Sequence, residues 1–206
     1  DDLIQENNVE FYNVDLPRIT IMTTFVEAET YIEDFLETVI AQTIFEDVDL
    51  FIYDAASTGR EAEIISSYQE KYPNIIHIRD EEKIGSSEAF NRMIQKSKNE
   101  FIGMISIDDR PAPHYAEKLR KYLYEHSLND FSPENMIKSL PGPMPMFKKS
   151  MIDKSGAFDI NFKHSNDWEL WLRCVRDGAT FYKVHDKIGL YYFNPNGVTT
   201  SPDSFK

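Results

Sequence analysis

Apolar residues fall along this chain in two alternating rhythms. Ile19-Thr20-Ile21-Met22-Thr23-Thr24-Phe25 is a short run of apolar and β-branched side chains, the mark of a buried strand. Ile32, Phe35, Leu36, Val39 and Ile40 then recur three and four apart, which predicts an amphipathic helix over Glu29 to Gln42. The rhythms repeat: strand Leu50 to Tyr53, helix Arg60 to Lys71, short strand Ile75 to Ile78, a helix with Ala89, Phe90, Met93 and Ile94 on one face, then strand Phe101 to Ile107, with Pro111 as its stop. Strands alternating with helices at this spacing predict βαβ units, right-handed crossovers and a parallel sheet.

The alternation breaks after the helix that follows Pro113. Ser127 to Pro145 is polar and carries Pro133, Pro141, Pro143 and Pro145, which reads as a loop or irregular extended segment. Lys148 to Ser155 is predicted as a short helix closed by Gly156 in a left-handed cap, and Asp167 to Arg176 as a second helix ended by Gly178. Thr180 to Val184 and Ile188 to Phe193 read as strands before a polar tail. The expected organisation is an N-terminal extension, 1–18, and one α/β domain, 19–206. That domain has a mostly parallel, Rossmann-like central sheet flanked by helices, with a nucleotide-fold half (19–111) and a mixed half (138–200) able to close over a ligand.

With 206 residues the chain can bury a substantial core. Its 35 acidic residues against 22 basic ones give a formal charge of -13, which argues against nucleic acid as a partner. One cysteine, Cys174, excludes an intramolecular disulfide framework; set among Trp171, Leu172 and Val175, it reads as a buried structural thiol. No apolar run approaches the roughly 20 residues of a membrane span, and no signal peptide opens the chain. Because the sequence starts Asp1-Asp2 without methionine, we expect a processed product or a piece of a longer polypeptide. The expected location is the cytoplasm, with attachment at the inner face of the membrane left open.

Candidate chemistry centres on Asp108-Asp109, two adjacent carboxylates following an apolar strand. The carboxyl edge of an open α/β sheet is where ligands bind, and paired hard oxygen ligands suit Mg²⁺ or Mn²⁺ beside a phosphorylated substrate. An acidic turn ahead of Pro111 is the competing interpretation. His114 and His185 lack partners at metal-ligand spacing.

Several segments, in order, carry a resemblance. Ile40-Ala41-Gln42-Thr43 ends the first helix; Tyr53-Asp54-Ala55-Ala56-Ser57-Thr58 ends the second strand; Gly85 precedes Ala89-Phe90-Asn91; Ser106-Ile107-Asp108-Asp109 ends the fourth strand. Lys148-Lys149-Ser150, Gly156-Ala157-Phe158-Asp159 and Asn166-Asp167-Trp168-Glu169-Leu170-Trp171-Leu172-Arg173 follow. Over about Ile19 to Thr200 this order resembles the inverting glycosyltransferases of family 2, which have the GT-A fold. The family's patterns at these places are Ala-Gln-Thr, Val-Asp-Asp-Gly-Ser-Thr, Ala-Arg-Asn, Asp-x-Asp-Asp, Gly-Gly-Phe-Asp and Glu-Asp-x-Glu-Leu-Trp-Leu-Arg. Here Ser106 replaces the first acid of the metal pattern, Phe90 the arginine, and Asn194 stands where many members carry Tyr-Arg-x-His. Only Glu125 to Lys138 fills an interval in which members carry a further strand and excursion, so the region is either trimmed or lacks residues.

The resemblance implies transfer of a sugar from a nucleotide-diphosphate donor, UDP-linked, to a hydroxyl of a saccharide or lipid-linked acceptor. It implies that Asp54 accepts a hydrogen bond from the donor base, that Thr24, Phe25 and Glu27 frame base and ribose, and that Gly85 and Asn91 also serve the donor. Asp108 would serve ribose and metal, and Asp109 would be the direct ligand of Mn²⁺ or Mg²⁺. Lys148, Lys149, Arg173 or backbone amides would meet the phosphate charge. Asp167 is implied as general base, with Trp168 and Glu169 on the acceptor side and Trp171 in the core. A capping box, Asn166 with Glu169, is the structural alternative at this helix start. Two other functions stay open: a sugar-nucleotide-binding module that has lost catalysis, and an unrelated nucleotide-binding α/β protein. The absence of Gly-x-Gly-x-x-Gly and P-loop patterns opposes the latter.

Overall fold

The computed structural model describes residues 16–125, 142–162 and 165–192. Its framework is a five-stranded sheet in the order β3-β2-β1-β4-β6. β1 (Ile19–Phe25), β2 (Val48–Ala55), β3 (Ile75–Asp80) and β4 (Phe101–Met104) are parallel, and β6 (Met146–Lys148) runs antiparallel to β4 at the edge. β1 is hydrogen-bonded on both sides, with Ile19 opposite both Val48 and Phe101.

Side chains alternate across this sheet, so each face gathers its own core. Ile19, Ile21, Leu50 and Ile52 pack under α1 (Glu29–Ile40), α2 (Glu61–Gln69) and α4 (Tyr115–Glu125), through Ile32, Phe35, Leu36, Val39, Ile65 and Leu119. Met22, Phe51, Tyr53 and Ile102 face α3 (Ser86–Lys96), α5 (Lys149–Ser155) and α6 (Asn166–Arg176), through Met93, Ile94, Ile152, Leu170 and Trp171. Strands covered on both faces explain why they read as near-continuous apolar runs.

The end of α1 is tied to a neighbouring helix by a side chain. α1 stops at Ile40, two residues short of the expected Gln42, because the Gln42 amide does other work. Its Nε2 donates to Ala112 O at 2.8 Å and its Oε1 accepts from Ala116 N at 3.0 Å, while Thr43 N donates to Pro113 O at 2.8 Å. The Ala-Gln-Thr segment thus fastens the end of α1 to the start of α4.

Differences from the expected elements are local. β2 is longer than Leu50 to Tyr53, and α2 ends at Gln69 rather than Lys71. The fourth strand ends at Met104, not Ile107: Ile105 N still donates to Met22 O, but Ser106 to Asp109 then folds into a turn closed by Asp109 N on Ser106 O at 3.0 Å. β6 interrupts the start of the expected Lys148 helix; its three residues were hidden behind Pro145, whose carbonyl accepts from Met104 N. Thr180 to Val184 forms no strand. Its apolar side chains are used in packing instead, Phe181 edge-on to Trp171 and Tyr182 stacked on Tyr122. Of the expected strand Ile188 to Phe193 the described part is 188–192, and in it Gly189–Leu190 (β7) is a strand, paired antiparallel with β5 (Arg110–Pro111). Most of the 1–18 extension, the interval from Ser127 to Pro141, Phe193 and Asn194 lie outside the described residues.

The β2–α2 turn carries a testable strain. Ala56 has φ +66°, a left-handed conformation in which a Cβ is disfavoured, at the place where the family pattern has glycine. Ala56→Gly is expected to stabilise the protein by about 0.5–1 kcal/mol, the relief of strain exceeding the added unfolded-state entropy. Urea denaturation of parent and variant reads this as a higher midpoint.

Candidate active site

Four parallel strands deliver their carboxyl ends to one edge, and the loops that follow them hold most of the candidate residues. On the 54–57 turn Asp54 is fully buried. Its Oδ1 accepts from Ser57 N at 2.8 Å and its Oδ2 from Arg79 Nη1 at 2.8 Å, while Arg79 Nη2 donates to Ser57 O. The β2–β3 register sets Asp54 directly beside Arg79, which accounts for the pair. His77, two residues earlier on the same strand, brings Nε2 to 3.9 Å from Asp54 Oδ2; burial holds this imidazole below its usual range, against the pull of the Asp54 charge. Nothing in the linear sequence announces Arg79 or His77, because only the register makes them neighbours.

Thr24 is half-buried at the end of β1, whereas the Phe25 ring is buried in the core under α1. Glu27 sits at φ +54°, and its carboxylate accepts from Thr58 N and Oγ1 at 3.1 Å, bracing one loop against the next. Gly85 precedes α3 in an extended conformation with open space beside its Cα, so neither φ nor packing within the chain requires glycine there. Asn91 has a task inside the protein: its Oδ1 accepts from Phe158 N and its Nδ2 donates to Phe158 O, joining α3 to the 156–159 segment.

Asp108 is half-buried on the turn after β4, and Asp109 is wholly buried. Arg110 holds this turn from behind, donating through Nη1 to Ile107 O and Asp109 O. Asp109 Oδ1 accepts from Tyr192 N at 3.1 Å, and Oδ2 is buried without a hydrogen-bond partner among the described residues. Burial pushes the Asp109 carboxyl above its usual range; the Tyr192 amide opposes this and the neighbouring Asp108 charge adds to it. A buried carboxylate with an orphaned oxygen beside a second acid fits a hard divalent cation as its missing partner. Among the described residues, no three His, Cys, Asp or Glu side chains converge on a point.

α6 begins after Ser165, at φ +54°, and its first residues reach across to α3. Asn166 Nδ2 donates to Ser87 Oγ at 2.5 Å, and Asn166 Oδ1 accepts from Asp167 N. Asp167 is half-buried, with Oδ1 accepting from Trp168 N at 2.9 Å. The capping-box alternative is not formed: Glu169 is instead paired with Arg173, through Nε at 2.8 Å and Nη2 at 2.7 Å. Arg173 also donates to the carbonyls of Ser155, Gly156 and Ala157, so it clamps α6 to the end of α5 and is not available to a phosphate. Lys148 lies opposite Phe101, at the far edge of the sheet, and Lys149 Nζ donates to Ser97 O there. The expected basic pair therefore cannot meet phosphate charge at the carboxyl edge. Trp171 and Cys174 are buried as expected, and burial pushes the Cys174 thiol up.

A sequence profile described as Glycosyl transferase family 2 matches residues 20–164. The chain belongs to this family. Among its relatives is an uncharacterized glycosyltransferase, MJ1057, from Methanocaldococcus jannaschii, 26% identical over 212 residues that span 89% of this chain and 73% of the relative. Another is a putative teichuronic acid biosynthesis glycosyltransferase, TuaG, from Bacillus subtilis, 21% identical, spanning 90% and 82%. The fold matches that of a mannosyltransferase from Pyrobaculum calidifontis in complex with GDP-Man and Mn²⁺, with TM-score 0.75 and 16% identity over 89% of this chain and 59% of that one. It also matches S. aureus TarS 1–349 in complex with UDP-GlcNAc, with TM-score 0.74 and 16% identity over 87% and 59%. The chain thus spans about three-fifths of each of those solved structures. The family 2 chain has the GT-A fold, and no described helix is long and apolar enough to cross a membrane.

Asp109 makes a pH-dependent prediction for this family member. An Asp whose folded pKa is raised stabilises below its unfolded value, about 4, and that stability is lost as pH rises through the folded pKa. In EDTA, Asp109→Asn is expected to melt above the parent at neutral pH, with the difference shrinking as pH falls towards about 4. Melting curves across that window check it.

Proposed function

We propose that this chain is a metal-dependent inverting glycosyltransferase that moves a sugar from a nucleotide-diphosphate donor to a hydroxyl of a saccharide or lipid-linked acceptor. The observation that carries this is the Asn166–Ser87 hydrogen bond. It fastens the start of α6, with Asp167 one residue on, to the first turn of α3 beside Gly85, at the edge where Asp54, Asp108 and Asp109 gather. This link supports a donor side and a candidate base that share one sheet edge.

In this reading the donor base and ribose lie against Thr24, the backbone of Phe25 and Glu27, and the partly exposed Arg79, which Asp54 holds from beneath; fully buried, with one oxygen on Ser57 N and the other on Arg79, Asp54 does not itself accept from the base as the resemblance implied. The open face of Gly85 and the amides that begin α3 receive diphosphate oxygens, since a helix start favours anions. Asp108 and Asp109 would hold Mn²⁺ or Mg²⁺, which when bound offsets the charge that grows on the departing diphosphate. Asp167 takes the proton of the acceptor hydroxyl as that oxygen attacks the anomeric carbon. The carbon–oxygen bond to the diphosphate breaks and its electron pair leaves with the nucleotide, so one displacement inverts the anomeric centre. Trp168 offers the acceptor sugar an aromatic face. The UDP-GlcNAc and GDP-Man held by the two structural neighbours support the donor class, and TuaG's name supports a polysaccharide acceptor.

The test is nucleoside diphosphate release from a panel of UDP- and GDP-sugars with Mn²⁺ and candidate acceptors. Asp167→Asn is expected to retain nucleotide binding while losing turnover by about 10²-fold or more. Its stability should change by at most about 1 kcal/mol, the scale of a helix-end charge. Normal turnover in the variant would remove Asp167 from the mechanism. Nucleotide binding without release in the parent would instead identify a sugar-nucleotide-binding module.

A further inference from the structure

Glu61, the first residue of α2, is fully buried although it lies outside every segment that carries the family resemblance. Its Oε1 accepts from Ala28 N at 2.7 Å, and its Oε2 has no hydrogen-bond partner among the described residues. A Cβ built on Gly59 would lie 2.7 Å from both Glu61 Oε2 and Glu29 Oε2, so two carboxylate oxygens converge beside Gly59 and would have to shift for a larger residue. Both acids stand at helix starts, whose positive ends offset part of their desolvation. Burying a carboxylate with one oxygen unpaired still works against stability, and a capping bond to Ala28 alone does not require a charge.

What Glu61 holds is the loop that continues from Thr24 and Phe25. Glu27 occupies a left-handed conformation that disfavours any side chain. It is fixed by Ser57 Oγ on its own amide at 2.9 Å and by Glu61 on the next amide, while Glu29 Oε2 accepts from Arg60 N at 3.0 Å across the same seam. We propose that Glu61 is a positioning residue for the nucleotide site: its bond to Ala28 N keeps residues 26–28 in the shape that receives the donor's base and ribose, and Gly59 makes room for it. This inference rests on the donor-site assignment proposed above.

Three variants test it. Glu61→Met keeps the buried volume but removes the acceptor; Glu61→Gln keeps an acceptor for Ala28 N and turns an amide nitrogen towards Glu29; Gly59→Ala drives a Cβ onto both oxygens. UDP and GDP are titrated into each with Mn²⁺, with melting curves and amide exchange at Glu27 and Ala28 measured in parallel. Glu61→Met is expected to bind the parent's nucleotide about tenfold more weakly, because the receptive loop is less populated. It should also lose protection at Ala28, whereas Glu61→Gln should bind within about twofold of the parent and melt no lower. Parent-like affinity in Glu61→Met, or equal weakening in Glu61→Gln, overturns the proposal. If Glu61→Met does not melt cooperatively, Gly59→Ala decides: about tenfold weaker binding supports the role and parent-like binding overturns it. A parent that binds neither nucleotide refutes the donor-site assignment itself and this inference with it, a result visible before any variant is made.

Discussion

The pairing of β1 on both sides is the constraint from which the rest follows. With Ile19 to Phe25 in parallel register with β2 and Ile19 to Met22 in register with β4, the ends of these strands fall together. The loops carrying Glu27, Asp54 and Asp108 then have no choice but to share an edge. The cores on the two faces, centred on Phe35 and Leu36 below and on Met93 and Trp171 above, fix the helices whose starts complete that edge. Burial on both faces makes this sheet rigid, and rigidity is what lets loops hold unfavourable groups.

Those groups are numerous. Asp54, Glu61 and Asp109 are wholly buried acids, and Glu27, Ala56 and Ser165 occupy left-handed conformations. Asp54 lies at the end of β2, and the others lie on loops or beside helix starts. Asp54 is compensated by Arg79 and a backbone amide, whereas Glu61 and Asp109 each keep one oxygen unpaired among the described residues. Strain and uncompensated charge concentrate at functional sites because stability elsewhere can carry them.

Much of this was legible from residue pattern. Periodicity placed β1 to β4 and the helices between them, since strands covered on both faces are apolar throughout and helices facing a core repeat every three to four residues. Pattern failed where packing and pairing separate. Phe181, Tyr182 and Val184 look like a strand but pack as individual side chains, and β6 is three residues behind a proline. At the site, Asp54 and Asp167 were candidates through the family resemblance. Arg79, Tyr192 and Ser87 were not, because each meets its partner through register or tertiary contact over 25, 83 and 79 residues of chain. The basic pair Lys148-Lys149 misled for the same reason: antiparallel β6 carries it to the far edge.

The central claim is that the acids at 108 and 109 hold a nucleotide diphosphate through a divalent ion. Calorimetric titration of UDP and GDP, first with Mn²⁺ and then with EDTA, tests it most directly. One of the two nucleotides should bind with the ion present and weaken by at least about tenfold without it, a difference of roughly 1.4 kcal/mol or more. Equal affinity in Mn²⁺ and in EDTA would contradict the claim.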